Sequence, residues 1–123
     1  MDDSQVGRDF AEAIAAKDYE RVAEVLDLKV DFRGLTPRRS WEAKSAGEFV
    51  SDVLPRWFEE TDVIDELLTV ETGAVADRER VGYQLRGHNG DGPFVVEQQA
   101  YYATDDGRIT WLRVLCSGFR PAD

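Results

Sequence analysis

Arg86, His88 and Glu97 are the side chains best suited by type and spacing to move a proton or hold an anion. They lie in two neighbouring runs, VGYQLRGHNG from Val81 and PFVVEQQAYY from Pro93. Between them, Asn89-Gly90-Asp91-Gly92 is a strong hairpin signal, because Asn, Asp and Gly adopt the backbone angles a tight turn needs. Pairing through that turn sets Gln84 opposite Glu97 and Arg86 opposite Val95. Strand alternation then puts Gln84, Arg86, Glu97 and Gln99 on one face. Two readings stand side by side. In the first, Glu97 is satisfied by Gln84 and Arg86, and the group is a structural polar cluster. In the second, Arg86, which stays charged when buried, holds a small polar or anionic organic ligand, with Glu97 or His88 as the base. His88 borders the hairpin tip, where a solvated role is expected. A lone histidine without clustered partners makes no metal site, so neither metal nor cofactor is expected.

These residues need a sheet to carry them. From Pro93 to Pro121 the chain reads as two long strands about a turn at Thr104-Asp105-Asp106-Gly107. Phe94, Val96, Gln98, Ala100 and Tyr102 form one face of the first strand, and Val95, Glu97, Gln99, Tyr101 and Ala103 the other. In the second strand Trp111, Arg113 and Leu115 alternate with Leu112, Val114 and Cys116. Both faces are largely apolar, so both call for cover.

Upstream, Val6, Phe10, Ala13 and Ile14 make one helical stripe behind Ser4 as cap. Asp18 can cap a second helix, and Leu28, Val30 and Phe32 alternate in a strand ending at Gly34. Leu35 to Trp41 reads as a loop. Ser45 and Glu48 have capping-box spacing before a third helix that presents Phe49, Val53 and Trp57, with a break expected near Leu54 because Pro55 lacks a donor. Val63 to Ala76 reads as a bent strand, with Gly73 as a bulge. The order α-α-β-α-β-β-β-β implies an α+β class, a curved antiparallel sheet wrapped around N-terminal helices.

Composition limits the function. With 123 residues the chain is expected to form one domain, residues 1–123. Its net charge of −10 repels phosphate backbones and anionic lipid, so neither nucleic acid nor membrane is an expected partner. No run approaches the roughly 20 apolar residues of a membrane span. The start lacks a signal-peptide pattern and Cys116 is the single cysteine, which together imply a cytoplasmic protein.

The order of elements, with FAEAIAAKDYERVAEVLDLKVDF at the start and YYATDDGRITWLRVLCSGF near the end, resembles the nuclear-transport-factor-2-like superfamily. Its members include SnoaL-like polyketide cyclases and ketosteroid isomerases on a cystatin-like cone. Matching the isomerase positions one at a time puts their helix tyrosine on Phe10, their proton-shuttling aspartate on Gly34 and their oxyanion-hole aspartate on Gln99. Those chemistries are therefore lost. The Asp-His pair of the cyclases and the Asp-Arg-Asp set of limonene-epoxide hydrolases are not recognisable either.

Carried over from the Gln99 match, the resemblance implies a cup lined by Gln84, Arg86, Glu97, Gln99, Tyr101 and Cys116, closed by Phe32, Phe49 and Trp57. The opposite face, with Tyr83, Val96, Gln98, Tyr102, Trp111 and Arg113, is the implied homodimer interface. The expected function is a dimeric small-molecule-binding protein. A lyase, isomerase or cyclase using Glu97 with Arg86 or His88 is the enzymatic alternative, and a non-catalytic interaction module the second.

Overall fold

A computed structural model describes residues 3–122 of the chain. Helix α1 (Asp3–Ala15) buries Val6, Phe10, Ala13 and Ile14, the stripe its spacing predicts. Asp18 caps α2 (Tyr19–Val25), its side chain accepting from the Arg21 amide at 3.2 Å. Strand β1 (Leu26–Thr36) then runs past Gly34 and turns back at Pro37-Arg38 into β2 (Arg39–Ala43). The segment read as a loop is therefore a hairpin. Its turn needs a left-handed residue, Arg38 at φ 70°, and the bond from Trp41 Nε1 to Thr36 Oγ1 at 2.8 Å ties its two arms.

Ser45 caps α3 (Ala46–Glu48), accepting from the Glu48 amide at 3.0 Å, while the Glu48 carboxylate reaches back to the Lys44 amide at 3.0 Å. The helix then widens. Pro55 has no N–H to give, and the residues before it, Phe49–Val53, form a π-helical turn in which the Leu54 amide bonds to the Phe49 carbonyl. Helix α4 (Leu54–Trp57) resumes the normal pitch with Pro55 in its first turn, where the missing donor costs nothing. Trp57 thereby reaches the core.

Four antiparallel strands follow, β3 (Val63–Val75), β4 (Arg78–Asn89), β5 (Gly92–Asp105) and β6 (Arg108–Cys116). Both expected tight turns are present, closing at Asn89↔Gly92 and Asp105↔Arg108. The second places Asp106 and Gly107 at φ 54° and 78°, the left-handed pair of a hairpin turn. Bends in β3 fall between Ile64 and Glu66 and between Leu67 and Thr69, whereas Gly73 pairs regularly with Arg80. A short β7 (Arg120–Pro121) pairs with the start of β5.

The sheet order is β2-β1-β6-β5-β4-β3, with β1 parallel to β6. The sheet is therefore mixed rather than wholly antiparallel. It curves without closing, and the helices lie on its inner face over a core containing Phe10, Phe32, Phe49, Tyr83, Tyr102 and Leu112. The result is the α+β cone. No helix among the described residues is long and apolar enough to cross a membrane.

Helix and sheet approach closely at Gly7. The Tyr102 hydroxyl donates to the Asp3 carbonyl at the helix start, and its ring lies where a Gly7 side chain would point: a Cβ there would meet the ring at 2.9 Å. Gly7→Ala gains about 1 kcal/mol of helix propensity. It also forces α1 off a fully buried ring, a clash costing about 1–3 kcal/mol. The clash should win. Urea denaturation should show a lower midpoint for Gly7→Ala at unchanged slope.

Candidate functional site

Side-chain parity on β4 and β5 decides which residues line the cup. Val81, Tyr83, Leu85, Val96, Gln98, Ala100 and Tyr102 are all within 1 % of full burial beneath the helices. Gln84, Glu97, Gln99 and Tyr101 are half-buried on the outer face, where Arg86 and His88 are exposed. The faces expected for these two strands are thus exchanged. Tyr83, Val96, Gln98 and Tyr102 cannot meet a partner chain, because they form this chain's own core. Trp111 and Arg113 do lie outside, and Cys116 lies inside. The register itself is as expected, with Gln84 opposite Glu97 and Arg86 opposite Val95. Apolar content explains the orientation: the face with Phe94, Val96, Ala100 and Tyr102 buries more hydrocarbon than the one with Glu97 and Gln99.

The polar group still forms, but on the outside. Glu97 accepts from Gln84 at 3.3 Å and from Gln99 at 2.9 Å, and Gln99 in turn accepts from Arg80 at 2.9 Å. Of the partners the structural reading gave Glu97, Gln84 is seen here, joined by Gln99 and Arg80. His88 Nδ1 lies 2.8 Å from Asp65 on the neighbouring strand, also on the outer side. Trp111 is flanked by the guanidinium groups of Arg78 and Arg113, each 4.4 Å from its ring centre.

Aromatic rings fill the deep part of the cup. Phe32 packs edge-on against Phe49 at 4.6 Å and against Trp57 at 5.7 Å, and Phe10 lies 6.4 Å from both Phe49 and Tyr83. Gly34 sits under this group, and a Cβ there would meet Phe32 at 2.8 Å and Trp57 at 3.2 Å. An acidic side chain at position 34 has no room while those rings stay in place.

What remains open is a cavity of about 180 Å³ at the other end of the cup. Its walls come from Thr36, Trp41, Arg56, Trp57, Phe58, Gln98, Cys116, Gly118 and Phe119. A larger hollow of about 780 Å³ lies across the outer side of β1, β2 and β6, bordered by Arg33, Leu35, Tyr101, Arg113 and Leu115. Both spaces open to solvent; the smaller is walled in part by the core residues Trp57, Phe58 and Gln98.

Gln98 is 1 % exposed, and its amide is locked by Tyr83, whose hydroxyl donates to Oε1 at 2.6 Å. Burial, and secondarily the Cys116 thiol, push the Tyr83 pKa far above the ordinary tyrosine value. Tyr83 therefore stays protonated and donates to the amide oxygen. Gln98 Nε2 has no hydrogen-bond partner, and neither has the buried Trp57 Nε1. An unpaired buried donor costs about 1–3 kcal/mol. Two such donors, both on residues bordering one cavity, are the marked chemical feature of the cup.

Sequence reasoning placed Trp57 and Cys116 here but missed Gln98, Thr36, Trp41, Arg56, Phe58 and Phe119. A glutamine amid Phe94, Val96, Ala100 and Tyr102 was the available signal. Between Phe94 and Ala100 it is the one polar residue on the more apolar face of β5. Asp62, also buried, is structural: it accepts from the Glu59 amide at 2.9 Å and from Asn89 at 3.0 Å, pinning the loop before β3 to the hairpin tip.

No protein-family model matches the chain, and no curated protein matches it. Solved structures do. A provisionally assigned isomerase from Bacillus subtilis superposes with a TM-score of 0.75 at 16% identity, over 95% of this chain and 90% of that one. A provisionally assigned polyketide cyclase from Xanthomonas campestris gives 0.69 at 18% identity, over 93% and 92%. An NTF2-like protein from Burkholderia thailandensis gives 0.68 at 18% identity, over 95% and 92%. At these identities the likeness is one of fold. The chain has the nuclear-transport-factor-2-like cone, the architecture shared by SnoaL-like and ketosteroid-isomerase-like proteins.

The Tyr83–Gln98 bond can be tested without any ligand. Tyr83→Phe leaves Gln98 Oε1 buried without its donor and should lose about 1–3 kcal/mol of stability. Gln98→Met alone should also destabilise, because it strands the hydroxyl, while the double variant should recover part of both losses. The folded state holds the Tyr83 proton more tightly than the unfolded chain does. Stability from this group is therefore present below the ordinary tyrosine pKa of about 10 and is lost as pH rises above it. Denaturation midpoints above that pH should fall faster in the wild type than in Tyr83→Phe.

Proposed function

We propose that this protein binds a small polar organic molecule in the cup and works as a homodimer. A cavity walled by Trp41, Trp57, Phe58 and Phe119, with buried donors on Trp57 and Gln98 in its lining residues, carries the binding reading. A purely structural core would fill that space with hydrocarbon and avoid the cost of both groups. The provisional isomerase and cyclase assignments of proteins with this fold fit a scaffold that takes small molecules, but they transfer no reaction. The cavity residues include no Asp, Glu or His, and Arg86, His88 and Glu97 lie on the far side of the sheet. That arrangement favours holding a molecule over moving its protons.

The outer face supports the dimer. Leu35 and Leu115, 54% and 53% exposed, pair side by side on β1 and β6, with Trp41, Tyr101 and Arg113 along the same groove. A cluster of exposed aliphatics flanked by Tyr, Trp and Arg has the composition of an interface centre.

Two measurements test these readings separately. Amide and indole chemical shifts, recorded with a mixture of small aromatic compounds, should move around Trp57, Gln98, Cys116 and Phe119. Shifts confined to the outer face around Trp111 would overturn the cup as the binding site. Sedimentation at tens of micromolar should give about twice the chain mass, and Leu115→Arg should give the monomer. Leu115 is the better probe than Trp111, since a carboxylate at 111 would sit between Arg78 and Arg113 and be neutralised. A wild type that sediments as a monomer ends the dimer proposal.

A further inference from the structure

Two further hollows share a wall with the cavity of about 180 Å³, and an aromatic ring stands at each boundary. Phe119 lines both that cavity and a hollow of about 160 Å³ beside the Asn89–Gly92 turn, bordered by Pro93 and Phe94. Phe58 lines the same cavity and a hollow of about 500 Å³ between Lys17, Tyr19, Pro55 and Glu60. The two rings lie against each other, with centres 5.8 Å apart.

Their fixings differ. The Phe58 amide donates to the Leu54 carbonyl at 2.9 Å, and the Phe58 carbonyl accepts from the Tyr19 hydroxyl at 3.4 Å. Lys17 holds the next carbonyl, that of Glu59, at 2.7 Å. Phe58 is also buried, so this divider is fixed. Phe119 is 37% exposed, and its ring is held by stacking on Phe94 at 4.3 Å. The chain is anchored before it, where the Ser117 amide donates to the Glu97 carbonyl at 2.9 Å, and after it, where Arg120 pairs with Val95. Between those anchors Gly118 sits at φ 77°, a backbone angle that glycine adopts without strain. Turning the Phe119 ring outward gives up its packing on Phe94 and Phe58 and no hydrogen bond. The cavity and the smaller hollow then become one longer trough.

We infer that Phe119 sets the length of the molecule the cup accepts. Stacked on Phe94, it limits the cavity to a volume only slightly larger than engineered cavities that bind benzene. Turned outward, it admits an elongated apolar molecule, because the joined trough is lined by Trp57, Phe58, Phe94 and Pro93. This rests on the cup being a ligand site and goes further by naming the residue that decides ligand size.

Cys116, the single cysteine of the chain, belongs to the wall of the same cavity and is 9% exposed. Its thiol therefore reports what reaches the cavity. Two reagents are compared on the full chain, methyl methanethiosulfonate and biphenyl-4-ylmethyl methanethiosulfonate. In each, the Cys116 thiolate attacks the sulfenyl sulfur, a disulfide forms, and methanesulfinate leaves with the electron pair of the broken S–S bond. Intact mass gives the labelling rates. The methyl reagent should label wild type, Phe119→Ala and Phe119→Trp at closely similar rates. The biphenyl reagent should label Phe119→Ala roughly tenfold faster than wild type, and Phe119→Trp more slowly than wild type. Equal biphenyl labelling of wild type and Phe119→Ala overturns the inference and leaves the cup as a binding site. Acceleration of both reagents in Phe119→Ala means a generally loosened fold, and Phe119→Trp then decides. Slower biphenyl labelling of that variant at an unchanged methyl rate supports the inference, and no change overturns it. A folded wild type that neither reagent labels overturns the inference and the cup reading together.

Discussion

Strand β5 is hydrogen-bonded to β4, β6 and β7, so the direction its side chains take is imposed on most of the sheet. Paired residues share a face. Once Val96, Gln98, Ala100 and Tyr102 point inward, Tyr83 and Leu85 must follow on β4, and Leu112, Val114 and Cys116 on β6. A shift of one residue would turn all of them outward together. What holds the parity is burial, since the inward set leaves almost no surface exposed. At roughly 1.5–3 kcal/mol for each large apolar side chain, no hydrogen bond on the outer face could reverse it.

That parity also sets how the helices dock. Tyr102 points at α1, bonds its first carbonyl and requires Gly7 above its ring. Phe10, three residues on, then falls against Tyr83 and Phe49. From the other side, the π-helical turn before Pro55 delivers Trp57 over Gly34. A glycine is needed at each of these close approaches for the same reason, because any side chain would occupy the volume of a packed ring. The deep cup is consequently filled, and the open volume is displaced to the end where β2, α4 and the residues after β6 meet.

The fold was legible because its signals are local. The Asp18 and Ser45 caps, the two hairpin turns and the α1 stripe each depend on residues within one turn of one another. The β1–β2 hairpin was hidden because Pro37 suggested a loop, and its turn uses an arginine at positive φ where glycine or asparagine would have signalled it. The parallel pairing of β1 with β6 joins residues some eighty positions apart, which no local pattern encodes. The site was misread for a different reason. Matching Gln99 to a functional position of other cone proteins overrode the simpler comparison of the two faces of β5. On that comparison Glu97 and Gln99 belong outside, and Gln98 stands out as the polar residue kept within.

Two glutamines side by side on β5 thus have opposite fates. Gln99 joins Glu97, Gln84 and Arg80 in an outer chain of hydrogen bonds that water can complete at either end. Gln98 is buried away from solvent, and its carbonyl accepts from the Tyr83 hydroxyl, whose pKa burial raises. Replacing Gln98 and Tyr83 together by Leu and Phe would remove the polar atoms at little volume cost. Trp57 could likewise be a phenylalanine with most of its ring contacts to Phe32, Phe49 and Trp41 retained. Each polar atom is dispensable for packing, and each adds a desolvation cost that packing does not repay. On the proposed binding role, Arg86, His88 and Glu97 on the other face of the sheet belong to the surface of the molecule.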